Sequence, residues 1–184
     1  MSLFGDRSAR ALLVIDVQVN VVEDAHNRES VVANIQSLVE QSRKSEVPVV
    51  WIQHNDEWMT LNSPEWQLVP ELVPAPGEAL VNKQYRSSFE ATELESVLAD
   101  LDVAQLIVTG AQTNNCIRHT IHAALERGYD VTLVEDAHTT SDFQWDNGLV
   151  TAASIIDEQN ASLQQYALPG RSCSISLAAN VFTA

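Results

Sequence analysis

The apolar runs ALLVID (11–16), VPVVWIQH (47–54), QLIVTG (105–110) and YDVTLVEDA (129–137) constrain the fold of this chain more than any other feature. Several are apolar throughout, and segments with helical spacing lie between them. A strand that is apolar on both sides has to be covered on both faces, which is the condition of a parallel sheet held between two layers of helices. The intervening segments supply those helices. Val31, Ile35, Leu38, Val39 and Ser42 predict a helix over about 28–44. Thr92 and Glu95 match a capping box, with Leu94, Val97, Leu98 and Leu101 behind it on one face. Ile117, Ile121, Ala124 and Leu125 predict a further helix, and Leu149, Ala152, Ala153 and Ile156 another. ALVNK (79–83) reads as a short strand and ASLQQYAL (161–168) as a sixth. A long loop with Trp58, Pro64, Trp66, Pro70, Pro74 and Pro76 separates the second and third strands.

A length of 184 residues suits one domain over 1–184, with a substantial core. The formal charge of -15, from 25 acids against 10 bases, argues against nucleic acid or an anionic membrane surface as a partner. No apolar run is long enough to span a bilayer. The opening MSLFGDRSAR has no apolar segment of the kind a secretory leader needs. Two cysteines far apart do not make a disulfide framework, so a reducing cytoplasm and free thiols are expected.

In open sheets of this kind, ligands bind beyond the carboxyl ends of the strands. Asp16 ends the first strand, Gln53 and His54 the second, Lys83 the third and Asp136 the fifth; Cys116 follows the fourth across GAQTNN (110–115). An Asp, a Lys and a Cys brought to one edge are hard to explain by packing. A thiol becomes a nucleophile as its thiolate, and a helix start and a nearby ammonium both lower its pKa. A carboxylate at an apolar strand end can take the thiol proton and return it to a leaving group. A glycine-led turn into a helix can aim the amides of Gln112 and Cys116 at an oxyanion.

The motifs LLVIDVQ with Asp16 and Gln18, VNKQYRSSF with Lys83, Ser88 and Phe89, and VTGAQTNNC with Ala111 and Cys116 resemble the isochorismatase-like cysteine hydrolase family over nearly the whole chain. That family includes nicotinamidases and N-carbamoylsarcosine amidases. The resemblance implies a Rossmann-like three-layer α/β/α fold with a six-stranded parallel sheet, and an Asp16–Lys83–Cys116 triad. It also implies a cis peptide at Ala111–Gln112 and an oxyanion hole from the Gln112 and Cys116 amides. The substrate would be a small amide or carbamoyl compound, and the assembly a homodimer or homotetramer. Nicotinamidases of the family hold a metal through Asp-x-His after the second strand. Here the stretch reads IQHNDEW, so no metal, no cofactor and no nicotinamidase activity are expected. Relatives that replace the cysteine hydrolyse the vinyl ether of isochorismate, which makes that reaction, or a non-catalytic binding role, the alternative.

Around the triad, Gln18, His54, Trp58, Trp66, Phe89 and Ala111 are expected to line the substrate pocket. His54 could equally just end its strand, and Trp58 and Trp66 could form either a lid or a subunit contact. His119 and His122, three apart on a helix, read as packing or surface groups because no third ligand accompanies them. Asn114 and Asn115 read as helix caps. His138 and Asp136 read as structural groups or pocket rim, and Cys173 as structural.

Overall fold

In β1 (Ala9–Ile15), alternate side chains serve two different cores. Ala11, Leu13 and Ile15 face a layer that includes Leu94, Leu98, Ile117, Ile121 and Leu125. Leu12 and Val14 face the opposite layer, against Ile35, Leu38 and Val39. All five are fully buried, which is why the run shows no polar alternation. Each of the larger ones, Leu12, Leu13, Val14 and Ile15, contributes roughly 1.5–3 kcal/mol when removed from water.

The computed structural model describes residues 2–183. After β1 come α1 (Val19–Val22), α2 (Arg28–Lys44), β2 (Val49–His54), β3 (Ala79–Lys83), α3 (Leu94–Asp100) and β4 (Val103–Ala111). A single wide turn, Thr113–Ile117, leads into α4 (Arg118–Arg127). The chain continues through β5 (Asp130–Thr139), β6 (Phe143–Trp145), β7 (Gly148–Val150), α5 (Ala152–Gln164), β8 (Ala167–Leu168) and β9 (Arg171–Ser176). The main sheet has the order β3-β2-β1-β4-β5-β9-β8. The chain runs outward from β1 to β2 and β3, then returns to place β4 on the other side of β1. The carboxyl ends of β1 and β4 therefore flank a topological switch point, where open α/β sheets bind their ligands.

The architecture is the expected three-layer α/β fold, with corrections at its carboxyl-terminal side. The sheet has seven strands rather than six, because the two-residue β8 adds an antiparallel edge to β9. The sixth parallel strand is Arg171–Ser176, paired with β5, and not 161–168. The first half of 161–168 belongs to α5, whose Ile155, Gln159 and Leu163 turn inward at helical spacing, and Ala167–Leu168 form β8. Leu149 does not start that helix; it sits in the β6–β7 hairpin, and Thr151 caps α5 by accepting from the Ser154 amide. The Thr92–Glu95 capping box does not form either. The Thr92 hydroxyl donates to the Ser88 carbonyl at 2.6 Å, and Glu93 is the residue at the cap of α3.

Candidate active site

The backbone at the switch point leaves little freedom. Asp16 leaves β1 with a left-handed φ of 51°, and its amide donates to the Ile52 carbonyl at 2.8 Å. Gly110 has φ 117°, and a Cβ there would lie 2.0 Å from the carbonyl oxygen of Ile15. Only glycine allows β4 to pass so close to the end of β1. The next peptide, Ala111–Gln112, is cis. The chain then enters the wide turn, where the amides of Asn115 and Ile117 both donate to the Gln112 carbonyl. Cys116 lies inside this turn, immediately ahead of Ile117 and α4. The turn is tied to the body of the protein by its polar side chains. Thr113 hydrogen-bonds His138 at 2.8 Å, and Asn114 accepts from the Thr140 hydroxyl at 2.9 Å. Asn115 reaches back to the Gln112 side chain at 3.0 Å. The two asparagines brace the turn rather than cap a helix.

Asp16, Lys83 and Cys116 converge. The Lys83 ammonium is 2.6 Å from Asp16 Oδ2 and 3.1 Å from Cys116 Sγ, and it also donates to the Tyr85 carbonyl at 3.3 Å. Asp16 and Lys83 are both 1% exposed. Burial disfavours the Lys83 ammonium, but the charges of Asp16 and Cys116 outweigh it and hold its pKa above the usual lysine value. The thiol behaves differently from the sequence expectation. Burial first, then the charge of Asp16 and its hydrogen bond to the thiol, push Cys116 up to about 12 against the pull of Lys83. The resting pair at neutral pH is thus a neutral thiol beside a base, rather than a preformed thiolate.

A cavity of about 300 Å³ opens over this group and is lined by Asp16, Asn20, Val21, His54, Asp56, Trp58, Met59, Arg86, Gln112, Asn115 and Cys116. Of the expected lining residues, His54 and Trp58 face it, and Trp58 is 84% exposed. Gln18 does not line it. This buried side chain donates to the carbonyls of His54 and Trp66, and accepts from the His54 amide, so it positions the wall from behind. Trp66 faces a separate groove with Gln53, Leu68 and Pro70. Phe89 is in the core, with the Tyr129 ring 5.8 Å away and the Arg127 guanidinium over its face at 5.0 Å. Ala111 is fully buried on the α2 side of the sheet. These three are not among the residues that line the cavity over Cys116. Asn20, Val21, Asp56, Met59, Arg86 and Asn115 also line the cavity, and none of them was an expected lining residue. Arg86 and Asn115 carried a local signal, since they lie in the VNKQYRSSF and VTGAQTNNC segments with Lys83 and Cys116.

The histidines and acids at this edge do different work. His54 has Lys83 Nζ 3.5 Å from Nδ1 and Asp56 Oδ2 3.3 Å from Nε2. An ammonium can only donate, so Nδ1 accepts and Nε2–H donates to Asp56. Both ring nitrogens are then occupied. Among the described residues, no group of three or more His, Cys, Asp and Glu side chains could hold a metal ion. Burial raises the Asp56 pKa, but hydrogen bonds from the Met59 and Trp58 amides and from His54 outweigh it, and the net direction is downward. Asp136 is not at the site; it accepts from the Ala178 amide and lines another cavity between α2 and α5. His138 is buried behind the turn, and burial lowers its pKa. His119 bonds the Asn115 carbonyl from the surface, and His122 packs edge-on against Tyr166.

Comparison with known proteins identifies the family and the fold. The isochorismatase domain profile matches residues 10–164. Streptothricin hydrolase of Streptomyces noursei is 33% identical over 142 residues, a stretch that covers 74% of this chain and 56% of that protein. The chain thus matches little more than half of that hydrolase's length. Ureidoacrylate amidohydrolase RutB of Enterobacter sp. is 26% identical over 69% of this chain and 74% of its own. An isochorismatase crystal structure from Pseudomonas putida superposes with a TM-score of 0.85 at 27% identity, covering 94% of this chain and 90% of that one. A domain match over most of the chain and a shared three-layer fold make this protein a member of the isochorismatase-like cysteine hydrolase family.

Proposed function

We propose that the protein cleaves a small amide or carbamoyl C–N bond through a thioester on Cys116, with no metal or cofactor. The observation that carries this reading is the Lys83 ammonium, 2.6 Å from Asp16 and 3.1 Å from Cys116, at the base of a cavity. Asp16 takes the thiol proton as Sγ attacks the carbonyl carbon. Lys83 stabilises the sulfur as it becomes anionic and holds Asp16 in place. The Gln112 and Cys116 amides receive the oxyanion. As the C–N bond breaks, Asp16 passes its proton to the leaving amine. It then deprotonates a water that attacks the thioester, releasing the acid and restoring the thiol.

A thiol with a pKa of about 12 suits this sequence of steps. Ionisation is coupled to attack, and the proton stays beside the leaving group. Hydrolysis of an isochorismate-type vinyl ether, or a purely binding role, would leave the contact between sulfur, ammonium and carboxylate without a task. The names of two relatives, a hydrolase and an amidohydrolase, support C–N cleavage. Two free cysteines support a reducing, cytoplasmic setting. The exposed Trp58, Trp145 and Leu149 support a homodimer or homotetramer. The test of the reaction is a screen of small primary amides, ureas and N-carbamoyl compounds with ammonia release as readout. Turnover that disappears in Cys116→Ala supports the proposal, and turnover that persists in that variant overturns it.

A further inference from the structure

The charged groups on the cavity wall are not all paired. Asp16 is answered by Lys83. Asp56 accepts from the Trp58 and Met59 amides through Oδ1 and faces His54 through Oδ2. Arg86 has no hydrogen bond or ion pair with any described residue. Every other arginine is engaged. Arg28, Arg43, Arg118 and Arg127 reach Glu71, Glu78, Glu158 and Glu95. Arg10 and Arg171 donate to the carbonyls of Val181 and Leu125, and Arg7 lies over the Phe4 ring. Arg86 is thus the arginine left without a carboxylate, carbonyl or ring partner among the described residues, and it stands on the wall of the cavity that holds the nucleophile.

We infer that Arg86 is a specificity-determining residue that binds a carboxylate at the end of the substrate remote from the scissile carbonyl. This rests on the amide-hydrolase reading and names its substrate class: a small amide or carbamoyl compound carrying an acid group. The planar guanidinium offers paired N–H donors that match a carboxylate in a bidentate geometry. The apolar side chains of Val21 and Met59 share the wall and suit the short linker between the two ends. The cavity of about 300 Å³ is at the small end for a ligand site and limits that linker to a few atoms. Discrimination follows from the same arrangement. A neutral amide leaves Arg86 solvated and gains nothing from it, whereas a carboxylate gains a charge-assisted contact and is drawn toward the site by the field of the cation.

The experiment compares alkylation of Cys116 by iodoacetate and by iodoacetamide, read by mass mapping, in the wild type, Arg86→Gln and Arg86→Lys. These reagents differ in one negative charge, so their rate ratio cancels any change in thiol pKa or access. The iodoacetate-to-iodoacetamide ratio is expected to fall about five- to tenfold in Arg86→Gln at low ionic strength and to recover in Arg86→Lys. A ratio unchanged in Arg86→Gln overturns the assignment. A second arm uses butyrate and inorganic phosphate as protectants against iodoacetamide. Protection by butyrate that is lost in Arg86→Gln supports a carboxylate site, and protection by phosphate with none by butyrate overturns it. These readouts need no turnover. A panel of amides that releases no ammonia refutes the amidase reading and leaves the ratio as measured; an unchanged ratio refutes the role of Arg86 and leaves the amidase reading intact.

Discussion

Gly110 runs so close to Ile15 that a Cβ at position 110 would lie 2.0 Å from the Ile15 carbonyl oxygen and 2.7 Å from its nitrogen. This approach joins the ends of β4 and β1, and so fixes how the turn bearing Cys116 meets Asp16. The obstacle is backbone, which has no alternative rotamer. Gly110→Ala is expected to cost about 3 kcal/mol or more, from the positive φ and the overlap together. Urea denaturation and ammonia release should fall together. A variant with wild-type stability would show that the strands can separate freely.

Lys83 and Asp16 should have opposite effects on the thiol. Lys83 pulls the Cys116 pKa down, and Asp16 pushes it up. Lys83→Met should therefore slow alkylation of Cys116 by iodoacetamide at pH 7, and Asp16→Asn should speed it. Both variants should lose turnover, Asp16→Asn by more than about a hundredfold, because the leaving amine has no proton donor. Lys83→Met also strands a buried carboxylate, at a cost of about 3–5 kcal/mol. Slower alkylation in Asp16→Asn would mean that the carboxylate does not oppose ionisation of the sulfur.

Both thiols should titrate late. Cys116 and Cys173 are each pushed up to about 12, Cys173 by burial. Alkylation of Cys116 should keep rising with pH beyond 9, without the plateau of a free thiol near about 8.5. Cys173, 8% exposed on β9, should react more slowly throughout. The effect on stability has a definite sign. The unfolded chain releases these protons near its ordinary thiol value while the folded chain retains them. Their contribution to stability is thus constant below that value and declines as pH rises from about 9 toward 12. Urea midpoints measured from pH 8 to 11 should fall, and less steeply in Cys173→Ala.

Gln18 is expected to matter without touching substrate. Its side chain bonds the backbone of His54 and Trp66, and it is fully buried. Gln18→Ala should cost about 2–3 kcal/mol, because buried polar partners lose their bonds. The loss of activity should appear mainly in KM, since the wall moves and the triad does not. A large fall in kcat at constant KM would place Gln18 at the chemistry instead.

The strands whose side chains are buried on both faces were legible in the sequence, because burial writes itself as a continuous apolar run. β1 and β4 are the clear cases, and Asp16 and Cys116 stand out as polar residues at their ends. β9 was hidden because Cys173 is its only buried residue, so RSCSIS reads as surface. The pull of Leu163 and Ala167–Leu168 drew the expected strand into the end of α5. The β6–β7 hairpin escaped because its strands are only three residues long and Phe143, Trp145 and Leu149 face solvent, although FQW alternates and DNG is a turn signal. At the site, composition could not separate the wall from its support. Gln18, Trp66 and Phe89 share motifs or loops with true lining residues, and only the fold shows which of them face inward. The thiol pKa was misjudged for a related reason. The cation beside Cys116 was anticipated, but its effect depends on burial and on the proximity of Asp16, which have no local sequence signature.

The most direct test of the account is the covalent state of Cys116 during turnover. A hydrolysed amide or carbamoyl compound from the screen would be mixed with enzyme, quenched in acid within a single turnover, and the peptides mapped by mass. The account predicts the acyl or carbamoyl mass on the peptide containing Cys116, none on that containing Cys173, and no adduct or ammonia release from Asp16→Asn. Hydrolysis that proceeds with no adduct and continues in Cys116→Ala would contradict it.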